Sequence, residues 1–103
     1  MDKPPQLSPV EAYEAIQRLL AEGDSLGLTK HARLQCAERR VTIDDIRKVL
    51  VHGNVSPTAE WDDKYCNWKY LVAGLDCEGD PLTVVLALEP RFCRMSIITV
   101  IGK

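Results

Sequence analysis

The sequence lacks any uninterrupted apolar run of about 18 residues, so no segment reads as a membrane-crossing helix. Its start, Met1-Asp2-Lys3-Pro4-Pro5, lacks the apolar stretch of a signal peptide. The expected location is therefore cytoplasmic, with no membrane partner. Cysteines are few and isolated. Cys36, Cys66, Cys77 and Cys93 form no C-x-x-C pair, which excludes a zinc-ribbon reading and leaves no expected metal ligand set. In a reducing compartment they read as free thiols. There is no glycine-rich phosphate loop, no G-x-S-x-G elbow and no H-E-x-x-H pair. No cofactor is expected. Positive charge is not in excess either. A net charge of −2 argues against a general nucleic-acid coat.

What is present suits one small folded domain. The 103 residues are too few for two domains, and 46% apolar with 27% charged residues is ordinary for a globular protein. Residues 1–7, around Pro4-Pro5, are expected to be flexible. Residues 8–53 read as helical and residues 54–103 as an antiparallel sheet.

Ser8-Pro9-Val10-Glu11 is a helix start, with a capping serine, proline at the first helical position and glutamate three residues after the cap. Tyr13, Ile16, Leu19 and Leu20 follow at helical spacing, and Gly23 is the expected stop. Residues 24–28 read as a linker. Thr29 caps a second helix to about Arg40. Thr42 caps a third, with Asp44 and Asp45 complementing the dipole of its first turn. Gly53 is its stop. Val55 to Trp61 reads as a short edge strand, limited by Pro57. Asp62-Asp63-Lys64 reads as a turn, Tyr65 to Cys77 as a long strand and Glu78-Gly79-Asp80 as a hairpin turn. Leu82 to Leu88 is a buried strand, residues 89–94 a loop and Met95 to Ile101 the last strand. Short connections make an antiparallel meander of about four strands the simplest topology. The fold class is α+β.

The second helix carries the chemistry. Lys30, Arg33, Arg39 and Arg40 face a single acid, Glu38, so positive charge is concentrated there. His31, Gln35 and Arg39 recur at i, i+4 and i+8 and share one face. An imidazole moves protons near neutral pH. A guanidinium clamps phosphate through paired hydrogen bonds. The plainer reading is a solvated helix face. Arg33 and Arg40 point to another side. Lys69 reads as a phosphate contact or as an ordinary sheet lysine. Tyr70 reads as packing. Thr99 shares a face with Ile97 and Ile101, and reads as a hydroxyl that positions a phosphate oxygen or simply as a β-former. His52, in the last turn of its helix, is explained by the dipole.

Two segments also carry a resemblance. Leu28-Thr29-Lys30-His31-Ala32-Arg33, Glu38-Arg39-Arg40-Val41-Thr42, Asp45-Ile46, Val49-Leu50 and Gly53 form the first. Tyr70, Asp80-Pro81-Leu82-Thr83-Val84-Val85 and Ile97-Ile98-Thr99-Val100 form the second. Together, over about residues 28–101, they resemble a bacterial family of unknown function related to RelE-, BrnT- and MqsR-like toxins. The resemblance implies two to three helices packed on a twisted antiparallel sheet and a toxin-like, metal-independent endoribonuclease of a type II toxin–antitoxin system. It carries His31, Arg39 and Thr99 over as catalytic residues. Gln35, Arg33 and Lys69 are added here as substrate contacts. The implied partners are RNA, free or on the ribosome, and a YgiT-type zinc-finger antitoxin. The chain departs from the pattern in its acidity and in the extra helix before residue 28. The alternative is a non-catalytic interaction module, or an inactive toxin-derived domain, of the same fold.

Overall fold

In the computed structural model, residues 4–22, 26–89 and 94–102 are described. They form three helices, α1 (Pro9–Ala21), α2 (Lys30–Arg39) and α3 (Ile43–His52). Six strands accompany them: β1 (Leu26–Leu28), β2 (Asn54–Val55), β3 (Glu60–Asp62), β4 (Asn67–Leu75), β5 (Pro81–Glu89) and β6 (Arg94–Gly102). The α+β class holds, with more strands than the four expected. Gly23 and Cys93 lie outside the described residues.

Each helix begins where its cap chemistry dictates. The Ser8 hydroxyl accepts from the Glu11 N–H at 3.2 Å, and the Glu11 carboxylate accepts from the Ser8 N–H at 2.9 Å. Thr42 and Asp45 form the same reciprocal box at α3. Thr29 accepts from the Ala32 N–H to start α2. Arg40, at φ 57°, ends α2 in the left-handed region. Gly53 ends α3 for a steric reason. A Cβ there would lie 2.5 Å from the Val49 carbonyl oxygen and 2.6 Å from that of Ala73.

The sheet order is β1-β6-β5-β4-β2, with β3 also on β4. Three expectations are corrected. The expected linker at 24–28 contains β1, which pairs in parallel with β6, Leu26 opposite Met95. The sheet is thus mixed, not a pure meander. The single strand expected over 55–61 is two short ones, β2 and β3, on either side of Pro57; both pair with β4. Third, β6 does not alternate evenly. Val85 faces Thr99 but Leu86 faces Ile97, so Ile98 is an extra residue, a bulge. Ile97 and Val100 therefore both join the core, while Thr99 pairs with Val85 on the opposite face.

The core lies on one face of the sheet. Ile16, Leu19, Ile46, Val49 and Leu50 from α1 and α3 pack on Val72, Val84, Leu86, Met95, Ile97 and Val100. From Pro4 on, the segment expected to be flexible is tied to this end of the sheet. The Trp68 indole N–H donates to the Pro4 carbonyl at 2.7 Å, and the Leu7 N–H donates to the Tyr70 hydroxyl at 2.9 Å. Among the described residues, no helix belonging to this core packs on the other face of the sheet.

The second helix has a different task. Only Ala32 is buried on it. It runs along the outer edge of β6, where β1 ends and backbone groups need partners. The Gln35 side-chain carbonyl accepts from the Val100 N–H at 3.1 Å and from the Thr99 hydroxyl. An Arg39 N–H donates to the Val100 carbonyl at 3.3 Å, and the Thr29 hydroxyl donates to that of Ile98 at 3.2 Å. Polar side chains here replace a neighbouring strand. Gln35→Ala leaves the Val100 N–H without its acceptor and should cost about 1–2 kcal/mol in urea unfolding. Exposed Arg33→Ala should stay within about 0.5 kcal/mol of the parent. Equal midpoints for the two variants would contradict the edge-capping role.

Candidate functional site

His31 stands in the first turn of α2, exposed, where the helix passes the bulged part of β6. Its ring lines a groove of about 430 Å³ on the face of the sheet opposite the core. Thr29, Ser96 and Ile98 lie on its side of the groove, and Tyr65, Asn67 and Glu89 on the other. The strand register explains this assembly. Asp62 is opposite Asn67, and Glu89 is opposite Arg94. Lys69 opposite Ala87, continued by two residues, places Asn67 across from Glu89. Asp62, Asn67, Glu89 and Arg94 thus form a polar row across the sheet, on the same face as Ser96.

These side chains differ in how far they are committed. One Asp62 carboxylate oxygen accepts from the N–H groups of Lys64 and Tyr65, at 2.9 and 3.2 Å, and shapes the turn that presents Tyr65. The Lys64 ammonium lies 5.3 Å from the centre of the Tyr65 ring, which is 67% exposed. Asp62 also faces the Lys69 ammonium at 3.9 Å. By contrast, neither Glu89 nor Asn67 has a side-chain hydrogen bond among the described residues.

His31, Gln35, Arg39 and Thr99 come together along one stretch of β6, but they do different things. His31 faces the groove. Gln35 and Thr99 bind each other, and Arg39 binds the Val100 carbonyl through one nitrogen. Lys69 is drawn to Asp62 on the β3 side, away from α2. Arg33 is exposed and does not line the groove. Sequence reasoning missed Tyr65, Asn67, Glu89 and Arg94. Their proximity follows only from which strands pair and in what register.

The thiols of Cys36 and Cys77 are not poised for attack. Burial, and then the nearby Asp45 carboxylate, push the Cys36 thiol up. A hydrogen bond with Asp45 pushes the exposed Cys77 thiol up. An activated cysteine needs the opposite shift. Among the described residues, no group of three or more His, Cys, Asp and Glu side chains is placed to hold a metal ion. No described helix is long and apolar enough to cross a membrane.

Compared with known proteins, the chain belongs to the family described as a domain of unknown function, DUF4258, which it matches over residues 28–101. That span takes in α2, α3 and all of β2 to β5. No curated protein and no solved structure matches it.

Proposed function

We propose that this member of the family is a toxin-like endoribonuclease that cuts RNA without a metal ion. The observation that carries the reading is the placement of His31. It is an exposed imidazole at the rim of an open groove, on a helix clamped to the strand beside it. His31 takes the proton from an RNA 2′-hydroxyl. The oxygen then bonds to the adjacent phosphorus, the bond from phosphorus to the 5′-oxygen breaks, and that oxygen leaves with a proton from solvent. Arg39 does not line the groove; it uses one nitrogen on the Val100 carbonyl, and its remaining N–H groups hold a phosphate of the bound RNA along the β6 edge beside the groove. Thr99 and Gln35 hold α2 on β6 and so fix His31 over the groove. The products are a 2′,3′-cyclic phosphate and a 5′-hydroxyl. In this reading the arrangement of helices on a sheet is RelE-like, and the partner that restrains the enzyme is a zinc-finger antitoxin of the YgiT type.

A second reading has its own observation. Gln35, Arg39 and Thr99 are all bonded within the chain, and Asp62 and Glu89 make the groove acidic. A non-catalytic interaction module would look the same. Induced expression in bacteria separates the two. The nuclease reading predicts growth arrest with fragmented mRNA, relieved when the neighbouring gene is co-expressed. Unaffected growth with intact mRNA favours the module.

A further inference from the structure

A groove with two carboxylates is a poor place for a phosphate, yet the proposed reaction needs RNA beside His31. The two acids are not equivalent. Asp62 is committed to its turn and to Lys69. Glu89 is half-buried at the groove wall and, among the described residues, its carboxylate has no partner. An ionised carboxylate only accepts hydrogen bonds, through two oxygens side by side. It suits a ligand that offers two adjacent donors.

Among the RNA bases, only guanine does so. Its N1–H and its 2-amino group sit next to each other on the Watson–Crick edge. Adenine, cytosine and uracil each present one donor group there beside acceptors that a carboxylate repels. The rest of the groove fits the same ligand. Tyr65 is a large exposed ring, with Lys64 near it and open groove beside it. Exposed aromatic rings stack unpaired bases. Asn67, across from Glu89 in the continued register, adds an amide with both a donor and an acceptor. Arg94, opposite Glu89 on the other side, is exposed and suits the phosphate of a bound nucleotide.

We infer that the groove between β4, β5 and β6 is a guanine-binding site, with Glu89 reading the base and Tyr65 stacking on it. The inference rests on the ribonuclease reading for its biological meaning, but its chemistry stands on the groove alone. It assigns the acidic groove to base recognition and leaves phosphate to the basic residues around it.

The test is calorimetric titration of the full chain with the 3′-monophosphates of guanosine, adenosine, cytidine and uridine. Guanosine 3′-monophosphate should bind about tenfold or more tightly than the other three, the discrimination expected of a good bidentate contact. Glu89→Gln, which replaces one acceptor oxygen with a donor, should remove the preference. Glu60→Gln, an exposed carboxylate that does not line the groove, should not change it. Circular dichroism checks that both variants fold. Binding within about threefold for all four nucleotides, or a preference that survives Glu89→Gln, would overturn the site. Guanine binding without RNA cleavage would keep the site and remove the catalysis. Cleavage with no base preference would do the reverse.

Discussion

Replacing His31 with alanine should lower RNA cleavage by about 100- to 10,000-fold, the range a positioned acid–base group contributes. The fold should not suffer. His31 is exposed in the first turn of α2 and makes no hydrogen bond among the described residues that the helix needs. Its cap is Thr29, and its grip on the sheet is through Gln35 and Arg39. The two effects therefore separate. The variant should unfold within about 0.5 kcal/mol of the parent while losing activity. Arg39→Ala should behave differently, because the same side chain serves the Val100 carbonyl. It should lose activity and also some stability. Matched cleavage assays and urea melts on the two variants check this. A fully active His31→Ala protein would remove the mechanism and leave the fold intact.

Asp45→Ala should be the most damaging single change to stability among polar residues. Asp45 is 7% exposed. One carboxylate oxygen accepts from the Thr42 N–H at 2.8 Å and the other from the Cys77 N–H at 2.9 Å. The first bond starts α3, and the second ties α3 to the chain leaving β4. Truncation leaves both donors without partners, at a cost of about 3 kcal/mol. For a domain of this size the melting temperature should fall by roughly 12 °C or more. The same bonds set the acid response. The N–H of Thr42, foremost, holds the Asp45 carboxyl down to about 2. The folded protein thus favours the ionised form. Its contribution is complete above the ordinary carboxylate value near pH 4 and is lost as pH falls towards 2. About 2 kcal/mol should go in that window, and an Asp45→Asn protein should not show that part of the loss. Urea melts at pH 4 and at pH 2 on both proteins measure it. Parallel pH dependence in the two would contradict the assignment.

Local chemistry was the readable part of this fold. Ser8 with Glu11, Thr29, Thr42 and Gly53 mark helix ends because caps act within a few residues. The long apolar runs became β4, β5 and β6 for the same reason. What failed was non-local. Leu26–Leu28 is only three residues and becomes a strand because the edge of β6 accepts it. The bulge at Ile98 depends on how β5 and β6 meet, and it moves Thr99 to the face opposite Ile97. The polar stripe of α2 was legible as His31, Gln35 and Arg39 on one face. That two of these close a sheet edge while the first faces a groove was not, since only the position of β6 divides them. Asn67, Glu89 and Arg94 lie up to 27 residues apart in the chain and meet through strand register alone.

The most direct test of the account is to incubate the purified chain with RNA in excess EDTA and identify the new ends. A 2′,3′-cyclic phosphate on one fragment and a 5′-hydroxyl on the other, both absent with His31→Ala, are the predicted result. RNA left intact, or fragments with 3′-hydroxyl and 5′-phosphate ends, would contradict it.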